Sequence, residues 1–246
     1  IVRWDSRDMS YRAFGPEDGL PDYSATAIAV SGDGTVFAGT RKDVARFNGA
    51  SWVHVPIVEE NKDVRFVYSL AAAPDSTIWC CASFSDGVAH WKGGVWEQTS
   101  GIGGVGITVT PDGMVWIGSM ENIYSFDGTT WKTYTIPFPN LNTSGRPAIG
   151  PSGDVWLTKP EHLYRFDGTN WFNYSMEDID IGFHGLACDR EGIVWIGTYR
   201  GVYRFKDGFL PPFTEADGLP DERIEALRIA PDGTIWVGTA RGLARY

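Results

Sequence analysis

The residues of this chain that could do chemistry are few and scattered. Its four histidines, His54, His90, His162 and His184, form no HxH or HxxxH pair, so no two imidazoles are spaced to share a metal ion. Cys80 and Cys81 are adjacent and Cys188 is remote; an odd count without metal-type spacing reads as buried free thiols. Neither a GxSxG elbow nor a GxxxxGK[ST] phosphate loop occurs. Asp-Gly recurs, yet its carboxylates neither alternate nor end in the glutamate of a calcium loop. Those aspartates read as turn formers. No catalytic residue, metal or cofactor is expected, and the chain is read as a non-enzyme.

Recognition is the better prospect. Basic side chains stand beside short connections: Arg41, Lys159, Arg200 and Arg241 follow one set, and Arg65, Arg146 and Arg223 precede the strands after another. Asn142, His184 and Tyr199 are interleaved with them. In a protein of net charge −10, such a gathering suits a ligand with hydroxyls and a carboxylate, because guanidinium binds planar anions bidentately. These ten residues are the expected binding set. Neighbouring Asp22, Glu161, Asp221 and Glu222 offer the plainer alternative of surface ion pairs worth little.

What must position them is a repeat. The fragment DGTVFAGT (33–40) returns as DGMVWIGS (112–119), EGIVWIGT (191–198) and DGTIWVGT (232–239), with weaker copies between. The aromatic anchors Phe37, Trp79, Trp116, Trp156, Trp195 and Trp236 lie 42, 37, 40, 39 and 41 residues apart. Each unit reads as an apolar strand, a tight turn, the anchor strand, and a strand ending in an aromatic such as VARF, IYSF or LARY. Middle copies add a second Asp-Gly turn and a fourth strand, as in FDGTTWKTY. Asp-Gly between alternating apolar residues favours hairpins because Gly accepts positive φ. Four short strands per forty residues predict an all-β fold: a six-bladed β-propeller of four-stranded antiparallel blades. Large anchors are expected between blades and small residues on the innermost strands.

The closing phrase DGLPDERIEALRIAPDGTIWVGT repeats DGLPDYSATAIAVSGDGTVFAGT with every landmark 199 residues earlier. The last unit stops where the first continues into its fourth strand. Residues 10–14 are therefore expected to supply that outer strand and close the ring, making 1–246 one domain. Ile1 to Trp4 resembles LARY (243–246), so two segments compete for one slot.

Composition narrows the partners. Thirty Gly, fourteen Pro and eleven Trp among 246 residues speak against helices. The acidic balance disfavours nucleic acid and anionic lipid, and no apolar run is long enough for a membrane helix. A monomer is expected.

The units resemble the two-component regulator propeller repeat: GLP, an apolar strand, D-x-x-G-x-[IVL]-W-[IV]-G-T, then G-[LV]-x-R-[YF]. Asp217 to Tyr246 fits almost throughout, and Gly192 to Asp207 closely. The resemblance implies a sensor propeller of periplasmic or extracellular location that recognises carbohydrate or another ligand, with no shared catalytic residues. GLP survives only in the first and last units. Receptors of that family usually carry more repeats, so the resemblance implies either a short stand-alone relative or a piece of a longer receptor. The expected function is non-catalytic binding of a small polar or anionic ligand; a protein-interaction scaffold is the alternative, and a propeller lyase or hydrolase ranks below both.

Overall fold

The structure, a computed structural model, describes residues 1–5, 7–57, 66–83, 87–99, 101–137, 146–159, 161–176 and 185–246. Strands and turns make up nearly all of it. Among the described residues the only helical turns are two 3-10 segments, Pro16–Asp18 and Glu215–Asp217, and each ends on the aspartate that opens the repeated DGLPD phrase. In each, an aspartate caps the turn it belongs to: Gly15 N donates to Asp18 Oδ2 at 3.1 Å, and Thr214 N to Asp217 Oδ2 at 3.0 Å. A left-handed glycine then ends it, Gly19 at φ 98° and Gly218 at φ 99°. At Gly19 a Cβ would lie 2.1 Å from the Trp52 carbonyl oxygen, so only glycine fits.

The fold is a six-bladed β-propeller, and five blades have four antiparallel strands in sequence order. Blade one runs Ala25–Val30, Val36–Thr40, Val44–Phe47 and Trp52–His54. Blade two runs Val67–Ala72, Ile78–Ala82, Val88–Lys92 and Val95–Gln98, and blade three Gly106–Val109, Val115–Gly118, Asn122–Phe126 and Trp131–Thr135. Blade four is Ala148–Ile149, Val155–Lys159, His162–Phe166 and Trp171–Ser175; blade five is Gly185–Cys188, Val194–Thr198, Gly201–Phe205 and Phe209–Phe213. Blade six has three described strands, Ile224–Ile229, Ile235–Thr239 and Gly242–Arg245. The Asp-Gly turns behave as their chemistry dictates. Asp33 Oδ1 accepts from Thr35 N at 2.9 Å and Asp232 Oδ1 from Thr234 N at 2.9 Å, while Gly34 and Gly233 take φ 83° and 92°.

By compactness the chain falls into two units, Ile1–Val115 with Ser125–Trp131, and Trp116–Tyr124 with Lys132–Tyr246. The first holds blades one and two and a hairpin, Val2–Asp5 against Ser10–Ala13, in which Trp4 faces Tyr11. Ser10–Ala13 thus takes the partner that the likeness of IVRW to a third strand offers a few residues away. Phe14 continues from it onto Phe47 and Trp52, at 5.4 and 6.2 Å. In the second unit Phe213 meets Tyr246 at 5.2 Å, the same relation 199 residues on.

The core lies between blades. In the first unit Val44, Val67, Leu70 and Ile78 form one buried cluster from blades one and two, and Trp79 meets Phe126 and Trp131 edge-on at 5.7 and 5.9 Å. In the second, Trp156, Leu186, Ile196 and Phe205 join blades four and five, and Trp195, Ile224, Leu227 and Val237 join five and six. The glycine of the repeated Gly-Thr pair permits this approach. A Cβ at Gly39 would come within 2.4 Å of Val67 Cγ1, and one at Gly197 within 2.8 Å of Ile224 Cγ2.

Candidate functional site

The threonine that ends the anchor strand builds the loop beyond it. Thr198 Oγ1 donates to the Gly201 carbonyl at 2.8 Å and accepts from Arg200 N at 2.9 Å. Thr40 does the same with Asp43 O (2.8 Å) and Lys42 N (3.1 Å), and Thr239 with Gly242 O (2.9 Å) and Arg241 N (3.3 Å). One hydroxyl bridging donor and acceptor holds a tight loop in place. The repeat therefore presents Arg41, Arg200 and Arg241 at the loop end of their blades.

In the second unit the loops of blades five and six form a small platform. Gly201 N donates to Glu222 O at 2.8 Å and Ala240 N to Arg223 O at 3.0 Å, tying the connection into blade six to both loops. The Arg223 guanidinium lies 5.6 Å from the centre of the Tyr199 ring, and its Nε meets Glu225 Oε1 at 2.7 Å. Arg241 Nε meets Asp221 Oδ2 at 3.2 Å. These two arginines carry carboxylate partners, while exposed Arg200 has no ion pair among the described residues. Arg146 is half-buried.

Lys159 is wholly buried rather than displayed. Among the described residues its Nζ has one long bond, 3.5 Å to the Met120 carbonyl, and it lies 5.9 Å from the Tyr164 ring. Burial lowers its pKa. In the first unit, exposed Arg41 lies 6.0 Å from the Phe66 ring. Arg65, Asn142 and His184 fall outside the described residues. Of the other histidines, His54 Nε2 bonds Asp43 Oδ2 at 3.0 Å and His90 Nε2 meets Glu97 Oε2 at 3.2 Å. All three cysteines are free; Cys80 and Cys81 are buried, and Cys188 is half-buried with its thiol pushed up to about 12, chiefly by burial. Among the described residues no three His, Cys, Asp or Glu side chains converge as a metal site.

Among the described residues, the opposite, turn end of the blades holds two clefts that the loop-centred reading of the sequence missed. One, of about 430 Å³, lies between blades four and five beside Trp156, where Asp154 Oδ2 accepts from Arg165 Nε at 3.0 Å. The other, of about 530 Å³, lies between blades two and three beside Trp79 and His90. A signal was present in the sequence: His90 stands where four other units have arginine, at 46, 165, 204 and 245.

Comparison with known proteins agrees with this architecture. No curated protein matches the chain by sequence. Among solved structures it is similar to the extracellular domain of BT4673 from B. thetaiotaomicron, described as a one component system, with a TM-score of 0.74 at 17% identity over 96% of this chain and 34% of that one. The chain thus spans about a third of that domain. It is also similar to a catalytically inactive virginiamycin B lyase from Staphylococcus aureus with quinupristin (TM-score 0.70, 14% identity, 91% of this chain and 84% of that). A third likeness is to YCF48 bound to D1 peptide (TM-score 0.69, 15% identity, 96% and 82%). At these identities the likeness is one of fold. Residues 218–241, the heart of blade six, match the family model described as Two component regulator propeller. The family that the repeats resemble is thus the one that the comparison returns, and the chain carries its repeat.

Proposed function

We propose that this chain is a sensor-type recognition propeller without catalysis, holding a small polar or anionic ligand, a saccharide included, at the loop end of its blades. The regulator propeller repeat at 218–241 carries the reading, and the fold is shared with the extracellular domain of a one component system. Arg200, exposed and without an ion pair among the described residues, and the Arg223–Tyr199 pair support it by offering guanidinium groups and an aromatic face. A carboxylate or vicinal hydroxyls would bridge them. Within the same unit, Arg146 and Arg241 would add to the field. By the same kinship the chain works outside the cytoplasm, in the periplasm or beyond.

A second reading, a protein-interaction scaffold, draws on the peptide complex of YCF48. One experiment separates the two. In thermal unfolding against panels of glycans and uronic acids, a true ligand at a hundred times its Kd stabilises by about 2.7 kcal/mol. The double variant Arg146→Ala with Arg200→Ala should lose that gain while folding normally. No shift with any compound, or a shift that survives both substitutions, defeats the ligand reading.

A further inference from the structure

Neighbouring blades meet through one recurring pair of surfaces, and blade one leaves its half of that pair uncovered. Nine residues before the aromatic anchor, blades two, five and six place Leu70, Leu186 and Leu227 on their innermost strands, all buried. Each packs with the second and third strands of the blade before it. Leu70 clusters with Phe37 and Val44, Leu186 with Trp156 and Leu163, and Leu227 with Trp195 and Val202. Their counterpart in blade one is Ile28, which is 56% exposed, as is Val30 two residues on. A second position tells the same story. The anchor-strand glycines Gly39 and Gly197 lie against Val67 and Ile224 of the following blade, both wholly buried. The residue of blade one at that place, Ala25, is exposed.

The N-terminal hairpin supplies half of what is missing. Val2–Asp5 carries the third-strand likeness of IVRW to LARY, and Ser10–Ala13 runs into Phe14, 199 residues before the end of blade five's fourth strand at Phe213. Phe14 meets Phe47 at 5.4 Å as Phe213 meets Tyr246 at 5.2 Å. In blade five the anchor completes that ring pair: Trp195 lies 6.1 Å from Phe213 and 5.5 Å from Tyr246. Its strand pairs with the third strand, where Arg204 stands opposite it. The hairpin has two strands alone, so no anchor strand lies beside Val2–Asp5 among the described residues. Arg3 takes the place of Arg204 there, and Val2 and Trp4 are 63 and 52% exposed. Such an edge offers its backbone N–H and C=O groups to an added strand.

We infer that the N-terminal hairpin and the bare face of blade one bind a partner β-hairpin built like the first two strands of this repeat. Such a partner is an apolar strand, a tight turn, and a strand carrying a tryptophan and Gly-Thr. Its anchor strand adds to the free edge of Val2–Asp5 and completes a four-stranded blade. The tryptophan comes opposite Arg3 and onto Phe14 and Phe47, and the glycine comes against Ala25. Backbone pairing sets the register, and cover for Ile28 and Val30 supplies affinity. Blade six of a second copy does not suit the place, because it brings a third strand, Gly242–Arg245, where Val2–Asp5 already stands. The surface lies wholly in the first unit and is independent of the function proposed above.

The probe is a synthetic peptide of residues 224–239, IEALRIAPDGTIWVGT, the first two strands of blade six. Titrated into the whole chain by calorimetry, it should bind saturably in a one-to-one ratio. Hydrogen exchange should then slow at the amides of Val2–Asp5. Ile28→Lys, at a position that solvent already reaches, should fold and weaken binding about ten-fold or more. Val30→Lys serves in its place if Ile28→Lys does not fold. Gly238→Val in the peptide should weaken binding by as much, since it sets a side chain against Ala25. Sedimentation should show the chain alone as a monomer. Absence of saturable binding overturns the inference, as does affinity indifferent to the lysine variants or to the peptide's Gly238→Val. So does a stable dimer that protects Val2–Asp5 without peptide, which would make a second copy the occupant.

Discussion

Two tryptophans at the same repeat position, in near-identical company, differ in one hydrogen bond. Trp195 Nε1 donates to Asp189 Oδ2 at 2.8 Å. Trp156 is as deeply buried, but its Nε1 has no partner among the described residues, because the residue six positions before it is Gly150 where blade five has Asp189. Both indoles pack against aromatic neighbours, Trp156 on Tyr174 and Phe205, Trp195 on Phe213 and Tyr246. Replacing each with Phe costs a similar volume of packing, and Phe37 shows that phenylalanine suits the position. The polar parts have opposite sign. Trp156→Phe removes an orphaned buried donor, a relief of about 1–3 kcal/mol; Trp195→Phe breaks a bond to a charged acceptor, a loss of about 1.5–3 kcal/mol. The two variants should therefore differ by at least about 2.5 kcal/mol, which at about 2–4 °C per kcal/mol is a gap of roughly 5–10 °C in Tm. Calorimetry of both proteins side by side reads it directly. If Trp156→Phe destabilises as much as Trp195→Phe, the Trp156 donor is satisfied in solution and the reasoning fails.

Close approach of blades makes a second contrast. Gly39→Ala and Gly197→Ala should each cost about 1–3 kcal/mol by pushing on Val67 and Ile224, whereas Gly238→Ala, whose Cβ meets nothing nearer than 3.7 Å, should stay within about 0.5 kcal/mol. Acid should act through the turns. The Ser31 hydroxyl, followed by Thr35 N, holds Asp33 down to about 2, below its ordinary 3.8. Its contribution is thus complete above about pH 4 and lost as pH falls toward 2, and carboxyl NMR titration should show the depressed midpoint, absent if Asp33 titrates normally. Thiol reagent at pH 8 should modify Cys188 and Cys80 slowly in the native protein, since burial raises both, and release three equivalents after unfolding; rapid native labelling would contradict the packing.

Much of this was legible in the sequence because each unit repeats a local rule. Asp-Gly dictates its turn by the aspartate oxygen and the glycine's positive φ, so turn positions and strand count followed from spacing alone. The anchors read as packing between blades, and Trp79 against Phe126 and Trp131 is such a contact. The loop residues were harder. Lys159 looked like Arg200 by position, yet one is buried and the other exposed; burial depends on neighbours far along the chain, which no local pattern encodes. The partner of Ser10–Ala13 is likewise a matter of which strand lies alongside in space.

The sequence by itself determined the repeat, the blade and the family likeness, since these rest on interactions within about forty residues. Only the tertiary structure decided which polar groups are left unmet. The buried His90 Nδ1 and Thr77 Oγ1, without partners among the described residues, and Trp156 above Gly150 become visible once neighbouring strands and blades are packed together. A hydrogen-bond deficit belongs to an environment, and the environment is assembled from distant parts of the chain.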